Sequence, residues 1–423
     1  MIRIRLVVAL LAIAASQSCT PAAPTLPAPT GPHSVGRVSL HWVDAHRPET
    51  ASDTADAKRE LMVYIWYPAA NAGTVWAPYL PGVERLANSP AVAPLSKLFG
   101  PSWPSIASGQ LRSHSIDGAP VAAGARWPIL VFSPGGGVTL FAYATQMEEL
   151  ASQGYVVVGA EFTYDSPGVV FPDGRVVTAA DEFWSRLRRE AGDAEGFDRR
   201  VVDMQAADLM FVIDKLKDLE ADASSTFSSR LDLTRIGVFG HSRGGRTAAR
   251  VCQLDRRVKA CLSQDGNLSW RPFSLDQNGR SMEQPFMMLD HLDPELPDDV
   301  FAKMGTTRER YVQNRSARQS EAREKIYATI AGGSYHVTIV TPGISHNSFL
   351  DIRLLGRADA GTINLWPKDV QAATPHARIL GLITSFSRAF FDKHVRGLPG
   401  SIADLAHASS DDVKIEQFGA VSK

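Results

Sequence analysis

The chain has 423 residues, 44% of them hydrophobic, and a formal net charge of −1. This is enough apolar material for a sizeable core in one large domain, and the near-zero charge leaves no global field to draw in nucleic acid or an acidic membrane. No His, Cys and Glu residues recur at metal-ligand spacing and no Walker or dinucleotide fingerprint occurs, so neither a metal nor another cofactor is expected.

The chain opens on a targeting segment. Arg3 and Arg5 precede an apolar run over 6–15 that is too short to span a bilayer, and residues 1–18 read as a signal peptide. Cys19 stands where a lipidated first residue would stand, although Ser16-Gln17-Ser18 departs from the usual lipobox. Two outcomes follow: lipidation at Cys19 with a membrane tether in a bacterial periplasm or outer membrane, or plain cleavage and secretion. Residues 19–34, rich in Pro, Ala and Thr, read as an extended tether. A single domain is expected over 35–423.

Strands are predicted over 35–44 and 61–67, the second stopped by Pro68. Residues 69–124 read as irregular. The continuous apolar run 129–133 predicts a strand buried on both faces, and it runs into Pro134-Gly135-Gly136-Gly137. A helix over 141–153 ends at Gly154, a buried strand covers 155–160, and helical spacing covers 200–219. Further strands are predicted at 236–239, 258–263, 285–290 and, last, 336–341, with a closing amphipathic helix over 378–394. The segment 291–335 carries a charged helical run, 308–325, and reads either as a cap beside the site or as a surface excursion. Strands alternating with helices imply a mostly parallel α/β sheet flanked by helices, with ligands beyond the carboxyl ends of the strands.

Gly240-His241-Ser242-Arg243-Gly244-Gly245 sits between the strand at 236–239 and a helix-compatible stretch at 246–251. Strand, Gly-flanked turn with a central serine, then helix: this is the nucleophile elbow of an α/β-hydrolase fold. A serine needs a base to take its proton and an acid to orient that base, and in this fold they follow in the order Ser, Asp or Glu, His. His346, in the loop after the last predicted strand, suits the base; His336, inside that strand, and His376, at the start of the last helix, suit it less well. For the acid, Asp265 ends the strand after the elbow helix, while Asp290 and Asp293 follow the next strand, the position favoured by chain order alone. The oxyanion hole needs two backbone N–H groups, one from Arg243 and one from the loop Gly135-Gly136-Gly137. Export permits a disulfide between Cys252 and Cys261; two buried free thiols are the alternative.

From about residue 61 to 394 the chain resembles the platelet-activating factor acetylhydrolase family, in its plasma or type II branch. Phe132-Ser133-Pro134-Gly135-Gly136-Gly137 resembles the family's Phe-Ser-His-Gly-Leu-Gly oxyanion loop, residues 240–245 its Gly-His-Ser-Phe-Gly-Gly elbow, Gln284-Pro285-Phe286 its Gln-Pro strand entry, and His346-Asn347-Ser348-Phe349 its His-Gln-Asn-Phe segment. The resemblance implies Ser242 as nucleophile, His346 as base and Asp265 rather than the alternate Asp293 as acid, with Gly136 and Arg243 supplying the oxyanion donors. It implies hydrolysis of short-acyl esters, including truncated or oxidised phospholipids. Pro134, Gly136 and Arg243 replace the family's His, Leu and Phe, changes that spare backbone donors but alter the walls of the pocket. The expectation is an exported serine esterase acting on a small ester or phospholipid. The rivals are another α/β-hydrolase activity (dienelactone hydrolase, polyester hydrolase or peptidase) and a non-catalytic lipoprotein that binds acyl ligands.

Overall fold

Strands buried at every position form the centre of the molecule. In a computed structural model, which describes residues 25–70, 73, 75–124, 126–268, 282–292, 296–356, 374–400 and 402–419, the strands are β1 (Ser34–Pro48), β2 (Lys58–Ala69), β3 (Ser115–Asp117), β4 (Trp127–Ser133), β5 (Val156–Glu161), β6 (Val169–Val170), β7 (Val176–Val177), β8 (Leu231–His241), β9 (Val258–Gln264), β10 (Phe286–His291), β11 (Ser334–Ile339) and β12 (Val413–Phe418). The signal segment, Cys19 and Asp293 lie outside the described residues.

Ten strands form one sheet in the order β12-β11-β10-β9-β8-β4-β5-β2-β1-β3, and β6 pairs with β7 apart from it. The six from β5 to β11 are mutually parallel, while β2 and β12 run antiparallel to them on either side. The strand period of two divides each central strand between two cores. Leu130 and Phe132 of β4 join a core completed by the helices Ala144–Ser152 and His376–His394, with Met147, Leu150, Ile383 and Phe390. Ile129 and Val131 face the opposite core, completed by Leu209 and Ile213 of the helix Ala194–Ala221 and Ala248 and Val251 of the helix Arg243–Leu254. The expected α/β-hydrolase architecture is therefore present.

Register brings the site together. Ser133 of β4 pairs with Gly240 of β8, and Gly240 and His241 of β8 pair with Ser263 and Gln264 of β9. The loop after β4, the elbow after β8 and Asp265 after β9 thus emerge side by side at the carboxyl edge.

Several boundaries differ from the sequence expectation. β2 does not stop at Pro68 but continues through it to Ala69, with Pro68 opposite Val35. The pairing of β2 with β5 has already ended at Trp66, so the proline's missing N–H costs no ladder bond on that side. The strand at 334–339 is not the last; β12 covers the sheet edge beyond it, and its polar sequence, Val413-Lys414-Ile415-Glu416-Gln417-Phe418, is that of an edge strand with little apolar signal. The expected extended tether is docked from residue 25 onward. Leu26 is buried, the Thr30 N–H donates to Glu149 Oε2 at 2.7 Å, the Gly31 N–H donates to Ser152 Oγ at 3.0 Å, and the His33 ring meets Trp127 edge-on at 5.1 Å.

A disulfide joins Cys252, on the helix after the elbow, to Cys261 of β9, with their Cα atoms 6.3 Å apart. The excursion after β10 includes the helices Asp298–Lys303 and Arg308–Lys325. Ala322, Ile326 and Tyr327 pack into the second core, and Arg315 donates to the His291 carbonyl at 2.5 Å. His291 is the last residue of β10, so through Arg315 this excursion meets the sheet at the carboxyl end of that strand.

Candidate active site

Among the described residues Ser242 is one of few non-glycines with positive φ (φ 56°, ψ −121°), a conformation held against its local cost by the surrounding structure. Its N–H donates to the Gln264 carbonyl at 2.8 Å, and its own carbonyl accepts from the Gly245 N–H at 3.0 Å, which locks the turn between β8 and the helix. The elbow's glycines answer to close approach: a Cβ on Gly244 would overlap the Ser133 carbonyl oxygen, and one on Gly240 the Gly244 carbonyl. Both obstacles are backbone and cannot swing away. Gly244→Ala is expected to lower stability by about 3 kcal/mol or more, read as a shift of the denaturant midpoint at unchanged slope.

His346 begins a 3₁₀ turn, His346–Phe349, whose start is held by a capping box in which the Ser345 side chain accepts from the Ser348 N–H and the Ser348 hydroxyl accepts from the Ser345 N–H. Its imidazole is 48% exposed, and its Nδ1 lies 2.5 Å from Asp265 Oδ2. The backbone of the turn is anchored at several points. The His346 carbonyl accepts from His241 Nε2 at 3.0 Å and the Phe349 carbonyl from Gln146 Nε2 at 2.6 Å; just beyond the turn, the Asp351 side chain accepts from the Thr145 N–H through Oδ2 at 3.0 Å. Burial pushes the Asp351 carboxyl up to about 7.

Asp265 directly follows β9 with φ 51°, and its side chain is 13% exposed. Burial alone would raise its pKa, but His291 and His346 facing it outweigh that and hold the carboxyl well below the usual range. His291 Nδ1 lies 3.0 Å from the same Oδ2 that meets His346. Of the residues that chain order placed after β10, Asp290 is engaged elsewhere, 3.0 Å from His336 Nε2. The structure thus brings Asp265, not Asp290, to His346.

The loop after β4 lies against the elbow. A Cβ on Gly135 would stand 3.6 Å from Ser242 Cβ, and one on Gly136 would overlap the Arg243 guanidinium. The Gly137 N–H is already engaged by Asp165 Oδ2 at 3.3 Å. Asp165 also takes Arg243 Nη1 at 3.3 Å and Gln205 Nε2 at 3.1 Å, so the charge of Arg243 is matched beside the loop. The Arg243 N–H is the first of its helix, where no carbonyl lies one turn back to accept it. His241, Asp265 and His346 each bring one polar atom within 4.8 Å of the others; such a set could hold a cation, but one oxygen and two ring nitrogens are equally the parts of an acid–base pair with a neighbouring histidine.

The family model of platelet-activating factor acetylhydrolase, isoform II, matches residues 19–361 of the 423. The chain belongs to this family. Among its relatives are a probable 1-alkyl-2-acetylglycerophosphocholine esterase of Arthroderma benhamiae, 25% identical over 64% of this chain and 66% of that protein, and the platelet-activating factor acetylhydrolase of Canis lupus familiaris, 25% identical over 56% of each. The chain therefore spans just over half to two thirds of the curated relatives it matches. Among solved structures, a ferulic acid esterase from Streptomyces cinnamoneus superposes with a TM-score of 0.66 at 27% identity, covering 93% of this chain and 99% of that one.

Within this family member, several site-building residues escaped the sequence reading. His241 was legible only as one letter of the elbow motif, and Tyr143 only as part of a predicted helix. Asp165 and Glu161 lie in or beside a buried strand end. Glu161 accepts from the Leu140 N–H at 3.0 Å and from the hydroxyls of Thr139 and Ser166, which fixes the chain just beyond the glycine loop. Burial pushes its carboxyl up to about 7. A carboxylate in an otherwise apolar strand, Val156-Val157-Val158-Gly159-Ala160-Glu161, was the available signal.

Proposed function

We propose that this chain is an exported serine esterase. Ser242 Oγ attacks the ester carbonyl while His346 takes its proton; the tetrahedral intermediate's oxyanion is held by the N–H groups of Gly136 and Arg243; the proton passes to the leaving alcohol as the C–O bond breaks. Water, deprotonated by His346, then attacks the acyl-serine and returns Ser242. Asp265 keeps the proton of neutral His346 on Nδ1 and stabilises the imidazolium. The observation that carries this reading is the 2.5 Å contact between His346 Nδ1 and Asp265 Oδ2, placed at the sheet edge where the strained Ser242 turn emerges.

In this reading the substrates are short-acyl esters, including glycerophospholipids with a short second acyl chain; the names of the relatives, an alkylacetylglycerophosphocholine esterase among them, support it. A second reading, esters of aromatic acids, is favoured by the ferulic acid esterase that superposes on nearly all of this chain. Export rests on the apolar run over 6–15 and agrees with the disulfide, which needs an oxidising compartment. Among the described residues no helix is long and apolar enough to cross a membrane; in this reading a membrane tether, where present, is a lipidated Cys19.

The test treats the mature protein with a fluorophosphonate, maps the adduct by mass spectrometry, and measures turnover of p-nitrophenyl acetate, a short-chain phosphatidylcholine and methyl ferulate. An adduct on Ser242 with turnover of at least one ester supports the proposal, and the ranking of the esters chooses between its two substrate readings. Folded protein that neither labels nor turns over any of them returns the non-catalytic acyl-binding reading.

A further inference from the structure

Four groups at the site form a hydrogen-bond chain with one consistent direction. The Gly135 N–H, in the glycine loop, donates to the Tyr143 oxygen at 3.1 Å. The Tyr143 hydroxyl lies 2.9 Å from His241 Nδ1. His241 Nε2 lies 3.0 Å from the His346 carbonyl oxygen. A carbonyl can only accept, so Nε2 carries the proton; Nδ1 of the neutral ring must then accept, and the Tyr143 hydroxyl must donate. Every donor in the chain has one acceptor, and the tautomer of His241 is dictated by its neighbours rather than free to vary.

The surroundings keep that ring neutral. His241 is fully buried, and burial together with the nearby His346 holds its pKa well below the ordinary histidine value. Its ring stacks on Phe349 at 5.3 Å with 20° between planes and lies 4.5 Å, centroid to centroid, from the His346 ring. A charged His241 at that distance would oppose formation of the His346 imidazolium; a neutral one leaves His346 free to accept the serine proton. The covalent neighbour of His241 is Ser242 itself. One side chain therefore joins three separately encoded parts: the oxyanion loop through Tyr143, the nucleophile through the backbone, and the base through its carbonyl.

We propose that Tyr143 and His241 are positioning residues that set the oxyanion loop and the His346 turn in register with Ser242, through a hydrogen-bond chain of fixed polarity. The inference rests on the esterase reading above. It distinguishes polarity from packing. Glutamine at 241 can accept from Tyr143 through Oε1 and donate to the His346 carbonyl through Nε2, which preserves the chain, whereas leucine fills the space without it. Phenylalanine at 143 keeps the ring and removes only the hydroxyl.

The experiment compares wild type, Tyr143→Phe, His241→Gln and His241→Leu on an ester that wild type turns over, with circular dichroism and thermal midpoints recorded for each. Misplaced catalytic groups cost on the order of 10²-fold. Expected are a kcat loss of about 10-fold for Tyr143→Phe and about 100-fold for His241→Leu, with KM within about twofold, and recovery by His241→Gln to within about fivefold of wild type. Rates of Ser242 labelling by the fluorophosphonate are expected to follow the same order. The proposal is overturned if folded Tyr143→Phe keeps wild-type kcat, or if folded His241→Gln is no better than folded His241→Leu; where the leucine variant does not fold, Tyr143→Phe decides alone. Wild-type protein that neither turns over nor labels marks failure of the esterase reading instead.

Discussion

Ser242→Ala is expected to lower kcat on a short p-nitrophenyl ester by about 10⁵- to 10⁶-fold while leaving the fold intact, because losing the nucleophile leaves only the oxyanion hole and binding to act on a direct attack by water. The effect should fall on kcat rather than KM, since the alanine removes the atom that bonds to substrate and little of the surface that holds it. A strained backbone at φ 56° is as costly for alanine as for serine, so the thermal midpoint should change little. The variant should also lose all labelling by a fluorophosphonate. Ester turnover within tenfold of wild type would show that another group is the nucleophile, and a label that persists would identify it.

Asp265→Asn is expected to cost about 10³- to 10⁴-fold in kcat. The two side chains are nearly the same size, so the change tests charge and tautomer rather than packing. Asp265 lies buried with both His346 and His291 against it; burial by itself would raise its carboxyl, and the two imidazoles outweigh burial and hold it well below the usual range. The amide cannot stabilise an imidazolium, and its NH₂ turned toward His346 would put the imidazole proton on the wrong nitrogen. His291 offers no replacement, for it supplies a second imidazole to the same oxygen and no negative charge. Asp293→Asn provides the comparison and is expected to leave kcat close to wild type. A near-silent Asp265→Asn together with a large loss in Asp293→Asn would move the acid to the later position.

The central strands and the elbow were legible because their signals are local. An uninterrupted apolar run such as Ile129-Leu130-Val131-Phe132 can only be buried on both faces, and a serine between glycines at a strand-to-helix turn has few other uses. Boundaries were less legible where a neighbour decides them. Pro68 stays within β2 because the adjoining strand has already ended. β12 is a strand because the edge of β11 is there to receive it, and its lysine, glutamate and glutamine give it no apolar pattern of its own. Residues 25–33 are docked rather than free because the end of the helix Ala144–Ser152 offers acceptors to their backbone.

By itself the sequence determined the parallel α/β sheet and marked Ser242 and His346 as candidates, since each reading rests on periodicity, turn chemistry or chain order within a few residues. Chain order favoured an acid after β10, and only the resemblance to a family pointed to Asp265. Between Asp265 and Asp290, tertiary structure decided which carboxylate meets His346, because Asp265 and His346 are 81 positions apart and their meeting depends on how β9, β10 and β11 align, with Asp290 drawn to His336 instead. It alone decided the partnership of Tyr143 with His241, 98 positions apart. A hydrogen bond needs two groups within about 3 Å in a set orientation, and distance in space between residues so far apart in the chain is fixed by packing, not by any pattern that either carries alone.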